Sequence, residues 1–352
     1  MKTLLYTLLF ALPLAACQRT ATAPQLSPPT GAPSVRVQGN QLVDSAGSPV
    51  RLRGVDRSGT EYACAQGWGI FDGPSDSASV QAIASWKANA VRVPLNETCW
   101  LGINGVNAAY SGDNYRRAIS DYVALFNRAG LVVILDLHWS AAGTAVALGQ
   151  APMPNRDHTP LFWREVAAAY KGNNRVVFDL FNEPFPDNNS DTPEAWRCWR
   201  DGGTCSGMSF QAAGMQELVD SVRSSGATNV IMLGGVQYAS GLSNWIANAP
   251  TDPLKNVAAS WHIYNFSWCN TQACWDSTAA PVARQVPLVL GELGEDDYGS
   301  AFVTSLMDWM DARQGSYLAW SWDVWGQSLD LIKSYDGSPT TYGRTFQTRF
   351  RS

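Results

Sequence analysis

From Ser34 onward the chain repeats one pattern eight times: a short apolar run suited to a buried strand, then a polar or amphipathic stretch. The runs are Leu52–Val55, Ala90–Val93, Leu131–Leu137, Val176–Phe181, Val230–Leu233, Val257–Trp261, Leu288–Leu290 and Tyr317–Trp320. Helical periodicity is clearest in Tyr115–Arg128, Leu161–Tyr170, Gln211–Arg223 and Ala301–Arg313. Near-continuously apolar strands separated by helices are parallel and covered on both faces. Eight such units in about 300 residues predict an α/β fold, a closed (β/α)8 TIM barrel. A doubly wound sheet would alternate in the same way, but no Gly-rich phosphate loop follows the first run. Ahead of the barrel, Val35 to Val55 alternates apolar and polar residues around Gly and Asp/Ser turns, which predicts a β-hairpin feeding the first strand.

The amino terminus reads differently. Met1-Lys2 precedes an apolar run from Leu4 to Leu14, too short to span a bilayer but suited to a secretory signal. It closes on Leu14-Ala15-Ala16-Cys17, which resembles a bacterial lipobox. That resemblance makes residues 1–17 a lipoprotein signal, with Cys17 as the lipidated mature terminus. An exported envelope lipoprotein, on the outer membrane or cell surface, or a secreted protein, is the expected location. Residues 18–33, with four prolines and little to bury, form a tether of about 50 Å reach at ~3.1 Å per residue. Residues 34–352 contain no further linker or low-complexity break and are expected to be one catalytic domain, a monomer that meets a membrane surface through its lipidated terminus.

The six remaining cysteines are Cys64, Cys99, Cys198, Cys205, Cys269 and Cys274. An even number in an exported chain favours disulfides. Cys198/Cys205 and Cys269/Cys274 have the spacing of loop staples, leaving Cys64/Cys99 as a long-range pair. Zinc is the competing use, but no CxxC spacing occurs and no histidine lies nearby, so no metal and no cofactor are expected.

In a (β/α)8 barrel the active site forms at the carboxyl ends of the strands. Here those ends carry Arg92, His138, Asn182-Glu183, His262 and Tyr264, Glu292 and Trp320. Two of the three histidines in the chain fall on this rim. A glutamate ending an apolar strand is costly unless it is paired or used. Two of them, on the fourth and seventh strands, can cleave a glycosidic bond, one as acid and base, the other as nucleophile or as activator of water. Separate ion pairs would explain one such glutamate, but poorly explain two among converging polar groups.

The ordered motifs RLRGVDRSGTEY, AVRVPLNE, DLHW, FNEP, WHIY and GELG resemble those of glycoside hydrolase family 5, of the cellulase type, over nearly the whole mature domain. The resemblance implies a retaining β-glycoside hydrolase with Glu183 as acid/base and Glu292 as nucleophile. It further implies that Asn182 holds the sugar 2-hydroxyl and that Arg92 and Tyr264 hydrogen-bond the nucleophile. His138 and His262 would line the cleft, and Trp320 would lie beneath the sugar at the cleavage point. The substrate would be a β-linked glucan, as for an endo-β-1,4-glucanase. Mannan, xyloglucan, a β-1,3-glucan or exo action are alternatives, and a silent glycan-binding lipoprotein is the contrasting class. Asp56 stands where many relatives carry asparagine. Glu295, Asp296 and Asp297 read as a solvated loop, and Asp136 as a buried hydrogen-bonding group.

Composition agrees with a neutral substrate. Charged residues make up 16%, below the roughly 25% of typical soluble domains, and the net charge is −5 without a basic cluster. Such a chain is a poor nucleic-acid ligand. Of its 15 tryptophans, eleven are expected at strand ends or in loops, with Trp196, Trp199, Trp268 and Trp275 able either to face sugar or to fill stapled loops. Trp86, Trp163, Trp245 and Trp309 are expected in the core.

Overall fold

The computed structural model describes residues 31–352, and Gly31–Ser352 form one compact unit. The signal, lipobox and tether read from residues 1–33 lie almost wholly outside the described residues. The eight barrel strands are β1 (Arg53–Asp56), β2 (Ala90–Asn96), β3 (Val132–Trp139), β4 (Val176–Asp179), β5 (Ile231–Gly234), β6 (Val257–Tyr264), β7 (Leu288–Gly294) and β8 (Ser316–Ala319). Each pairs in parallel with its sequence neighbour, and β8 returns to β1, so the sheet closes with no edge. Helices cover the outside. Asp113–Arg128 shows how: Tyr115, Ile119, Tyr122, Val123 and Phe126 form its buried stripe. The expected helix over Gln211–Arg223 begins only at Met215, because Gln211–Ala213 pairs with Gly202–Thr204 as a small antiparallel ribbon.

Inward-facing residues alternate along each strand and change character from bottom to top. At the bottom Leu52, Ala90, Ile134, Val177, Ala258 and Leu318 fill the barrel. The predicted hairpin, Arg36–Gln38 with Gln41–Val43, closes this end by packing Val35 and Leu42 into the same cluster. Toward the top the same inward positions become Asp56, Arg92, Asp136 and Asp179, all fully buried. Register places them in one layer: Asp56 lies beside Arg92 and Asp136 beside Asp179.

All three disulfides form as paired above: Cys64–Cys99, Cys198–Cys205 and Cys269–Cys274. The first ties the loop after β1 to the short helix Glu97–Leu101. The third closes the loop that presents Phe266 and Trp268. Buried Glu97 accepts from Asn155 Nδ2 at 2.7 Å and from the Ala141 amide, which fixes the long loop after β3. No helix among the described residues is long and apolar enough to cross a membrane.

Candidate active site

The ends of β3 to β8 and the loops that follow them line a cavity of about 570 Å³, with His138, Gln150, Glu183, His262, Tyr264, Glu292 and Trp320 among the lining residues. Glu183 and Glu292 face one another across it. One carboxylate oxygen of each, with a ring nitrogen of His262, fall within 4.8 Å of one another. That separation suits double displacement, in which the carboxyls stand about 5–5.5 Å apart; an inverting pair needs about 6.5–9.5 Å.

The two glutamates sit in opposite electrostatic settings. Arg92 Nη1 donates to Glu292 Oε1 at 2.8 Å and the Tyr264 hydroxyl donates to Oε2 at 2.6 Å. Burial and the Glu292 charge push the Tyr264 phenol up, so it keeps its proton and remains a donor. Glu183 has no cation in contact. Gln150 Nε2 donates to its Oε2 at 2.9 Å, and His262 Nδ1 stands 3.2 Å from Oε1. Burial lifts the Glu183 carboxyl above its ordinary value, against the Gln150 bond and the more distant charges of His138 and Arg92. Burial also pushes His262 down to about 4, so it is neutral at ordinary pH and adds no charge between the two acids.

The local backbone makes this possible. β6 and β7 shift register between Trp261 and His262, which brings His262 level with Glu292. A Cβ at Gly291 would come within 2.8 Å of His262 Nε2 and Ser260 Oγ, and one at Gly294 within 2.5 Å of Tyr264 Cε1. The glycines on either side of Glu292 are therefore the space in which His262 and Tyr264 lie.

Beyond the glutamates, Asp136 Oδ2 binds His138 Nδ1 at 2.6 Å. Burial opposes a charge on His138, but Asp136, Glu61 and Glu292 outweigh it and raise its pKa. The His138 ring is parallel to Trp320, 5.7 Å apart at 11°. Asn182, expected to hold the sugar 2-hydroxyl, does not line the cavity, and neither does Arg92, expected to hydrogen-bond the nucleophile. Arg92 is fully enclosed and reaches Asn182 Oδ1 at 2.8 Å, so its contact is with the site's own groups. Asp136 is buried as expected. Glu295 is also buried, accepting from the Val303 amide at the start of the helix Ala301–Asp311, whereas Asp296 and Asp297 are exposed. Gln150 has no counterpart in the sequence reading, since nothing in its loop marks it.

The tryptophans divide differently than their sequence positions suggest. Trp100, Trp196, Trp199, Trp261, Trp275 and Trp322 are buried: Trp100, Trp196, Trp199 and Trp275 lie beside the disulfide staples, while Trp261 packs on Trp309 and Trp322 on Trp86. Trp86, Trp163, Trp245 and Trp309 are buried as expected. Apart from Tyr298 on the loop after β7, the exposed aromatic surface lies in two groups. Trp68, Trp139 and Trp325 surround Tyr62 at ring distances of 5.9 to 6.2 Å, on loops from β1, β3 and β8. Across the barrel, on loops from β5 and β6, stand Tyr238, Phe266 and Trp268, with Phe266 stacked on Tyr264 at 5.0 Å.

Among the described residues, Glu183, His262 and Glu292 are the acidic–histidine group close enough to hold a metal ion. Arg92 and Tyr264 already occupy both oxygens of Glu292, which leaves a cation there in competition with a fixed guanidinium.

A parallel eight-stranded barrel with two facing rim carboxyls is the architecture of a glycosidase. The cellulase model of glycosyl hydrolase family 5 matches residues 43–326, and the chain belongs to that family of O-glycosyl hydrolases, retaining enzymes that act on β-glycans. It is 23% identical to a mannan endo-1,4-beta-mannosidase of Salipaludibacillus agaradhaerens, across 87% of each chain. It is 21% identical to an endoglucanase of Clostridium saccharobutylicum, across 88% of this chain but 61% of the relative. Its fold matches a beta-glucanase of Saccharophagus degradans with a TM-score of 0.70, at 21% identity over 94% of this chain and 97% of the other. That glucanase has also been solved with cellotetraose bound.

Proposed function

We propose that the chain is an endo-acting β-1,4-glucanase in which Glu183 is the acid/base and Glu292 the nucleophile. The observation that carries this reading is the contrast between two carboxyls only one sugar's width apart. Glu292, held by Arg92 and Tyr264, attacks the anomeric carbon as a carboxylate. Glu183, raised by burial, gives its proton to the departing glycosidic oxygen. It then takes a proton from water, which attacks the same carbon and releases Glu292 with net retention. Trp320, backed by His138, offers the flat apolar face on which a pyranose ring packs. Exposed aromatics on opposite arcs of the rim extend that surface to both sides of the glutamates, as cleavage within a chain requires.

Mannan is the second reading, favoured by the mannosidase relative that spans 87% of both chains. Initial rates on carboxymethylcellulose, glucomannan and unsubstituted mannan decide between them. For the catalytic roles, Glu292→Ala should cut kcat by about 10⁴-fold or more, and azide should restore turnover of an aryl β-cellobioside as the α-glycosyl azide. Rescue as the β-azide would reverse the two assignments, and full activity of the variant would refute them.

We also propose that the chain is exported and tethered to a membrane surface by lipid on Cys17, with a monomeric catalytic domain. The lipobox-like LAAC and the proline-rich segment support this reading. Palmitate labelling that persists in Cys17→Ser would refute the anchor, and a dimer in sedimentation would refute the monomer.

A further inference from the structure

Arg92 is the single cation in a layer of acids. Its Nε faces Asp179 Oδ2 at 3.1 Å, and its Nη1 faces both Glu292 at 2.8 Å and Asp56 Oδ1 at 3.3 Å. Its Nη2 faces Asn182 at 2.8 Å and Asp136 Oδ1 at 3.2 Å. Hydrogen bonds run from it to Asp179, Asp56, Glu292 and Asn182, while Asp136 lies within ion-pair distance, so four of the five groups it faces are carboxyls. The side chains of Asp56, Asp136, Asp179 and Arg92 have no solvent exposure.

Four carboxylates against one guanidinium would leave a large uncompensated charge in a dry barrel. Each buried ion carries a large desolvation penalty even after relaxation. His138 can offset one carboxylate, because its Nδ1 lies 2.6 Å from Asp136 Oδ2. Arg92 and protonated His138 then balance Glu292 and Asp136. Asp56 and Asp179 have no cation left. Asp56 Oδ2, Asp179 Oδ1 and Asp136 Oδ1 are all buried without a hydrogen-bond partner, but of the three only Asp136 has a second cation, His138, on its other oxygen.

We propose that Asp56 and Asp179 are neutral carboxylic acids in the working enzyme, positioning residues whose retained protons leave Glu292 as the anion to which Arg92 Nη1 is committed. Nη1 gives one N–H to each of Asp56 and Glu292, and a neutral Asp56 is the weaker acceptor, which leaves Glu292 as the charged partner of that nitrogen. The titratable and charged groups acting on Asp56 are Arg92 from β2, Asp136 from β3, Tyr264 from β6 and Glu292 from β7. Burial, outweighing Arg92, pushes Asp179 up to about 7 and Asp56 well above its ordinary value. Asparagine is the permanent isostere of a neutral aspartic acid, so replacement by Asn distinguishes the neutral pair from charged Asp136.

The proposal rests on the reading of Glu292 as nucleophile only for its kinetic arm. Infrared spectra of the intact enzyme at pH 6 should show neutral-carboxyl C=O absorption, part of which disappears in Asp56→Asn and part in Asp179→Asn. In Asp136→Asn both parts should persist. Absence of that absorption from the wild-type protein would overturn the proposal even if no variant folds. Stability supplies a second arm. An acid whose folded pKa is raised holds a proton that the unfolded chain releases, so stability falls as pH rises from about 4 through about 7. Asp179→Asn should flatten that decline, and an unchanged slope would count against the assignment. At pH 5.5, kcat/KM should be at least tenfold lower in Asp136→Asn than in Asp56→Asn. The reverse order would mean that Asp56 is the charged member.

Discussion

The two ends of the same eight strands are built from opposite materials. At the bottom, inward positions are aliphatic and a hairpin plugs the opening, so every buried group there is satisfied by packing alone. At the top, the inward positions present four carboxyls within hydrogen-bond or ion-pair distance of one guanidinium, Arg92. The comparison teaches where this fold stores its stability and where it spends it. Aliphatic burial is favourable at about 25 cal/mol per Å² and carries no dependence on pH. A buried charge layer roughly breaks even and becomes costly if one partner is lost. The bottom can therefore hold the barrel rigid while the top keeps two carboxyls in unlike environments.

Three substitutions would sharpen or break this division. The largest effect is expected at the bottom. Ile134→Ala should cost about 2–5 kcal/mol of unfolding free energy while kcat in the remaining folded enzyme is unaltered. A comparable fall in kcat, measured well below the melting temperature, would show that the two ends are not separable. Next comes the top, where Gly294→Ala pushes a methyl into the Tyr264 ring without demanding an unusual backbone conformation. Tyr264 then leaves Glu292, and kcat should fall by about 10²-fold with little change in melting temperature. Loss of stability without loss of rate would reverse that assignment.

The smallest effect belongs to the other glutamate. Gln150→Leu removes the hydrogen bond that holds the Glu183 carboxyl down, so its pKa rises further. Glu183 keeps its proton to higher pH, and the alkaline limb of kcat/KM moves upward for leaving groups that need protonation. A limb that stays in place or moves down would show that Gln150 does not act on Glu183.

Much of the fold was legible because period and composition coincide in it. All eight strand runs became barrel strands, and the ordered rim residues Arg92, His138, Glu183, His262, Glu292 and Trp320 meet at one end. The buried aspartates left a trace too: Asp136, two residues before His138, occupies an inward position of an otherwise apolar strand. Tryptophan was the poorer guide. Trp196, Trp199 and Trp275 follow strands in the chain just as Trp268 does, yet they pack inward while Trp268 stays half exposed. Sequence position does not encode which way a ring turns once a disulfide has closed its loop. Gln150 was invisible for a related reason, since its role depends on where a long loop, pinned by Glu97, returns to the rim.

The sequence by itself determined the barrel, its closing hairpin and the pair of glutamates on its rim. Those follow from residue types recurring at fixed spacing along single strands. Tertiary structure alone decided which acid is held by a cation, which by neutral donors, and how many carboxyls share Arg92. Such facts depend on distances across the barrel, where strands far apart in the chain face one another without water between them.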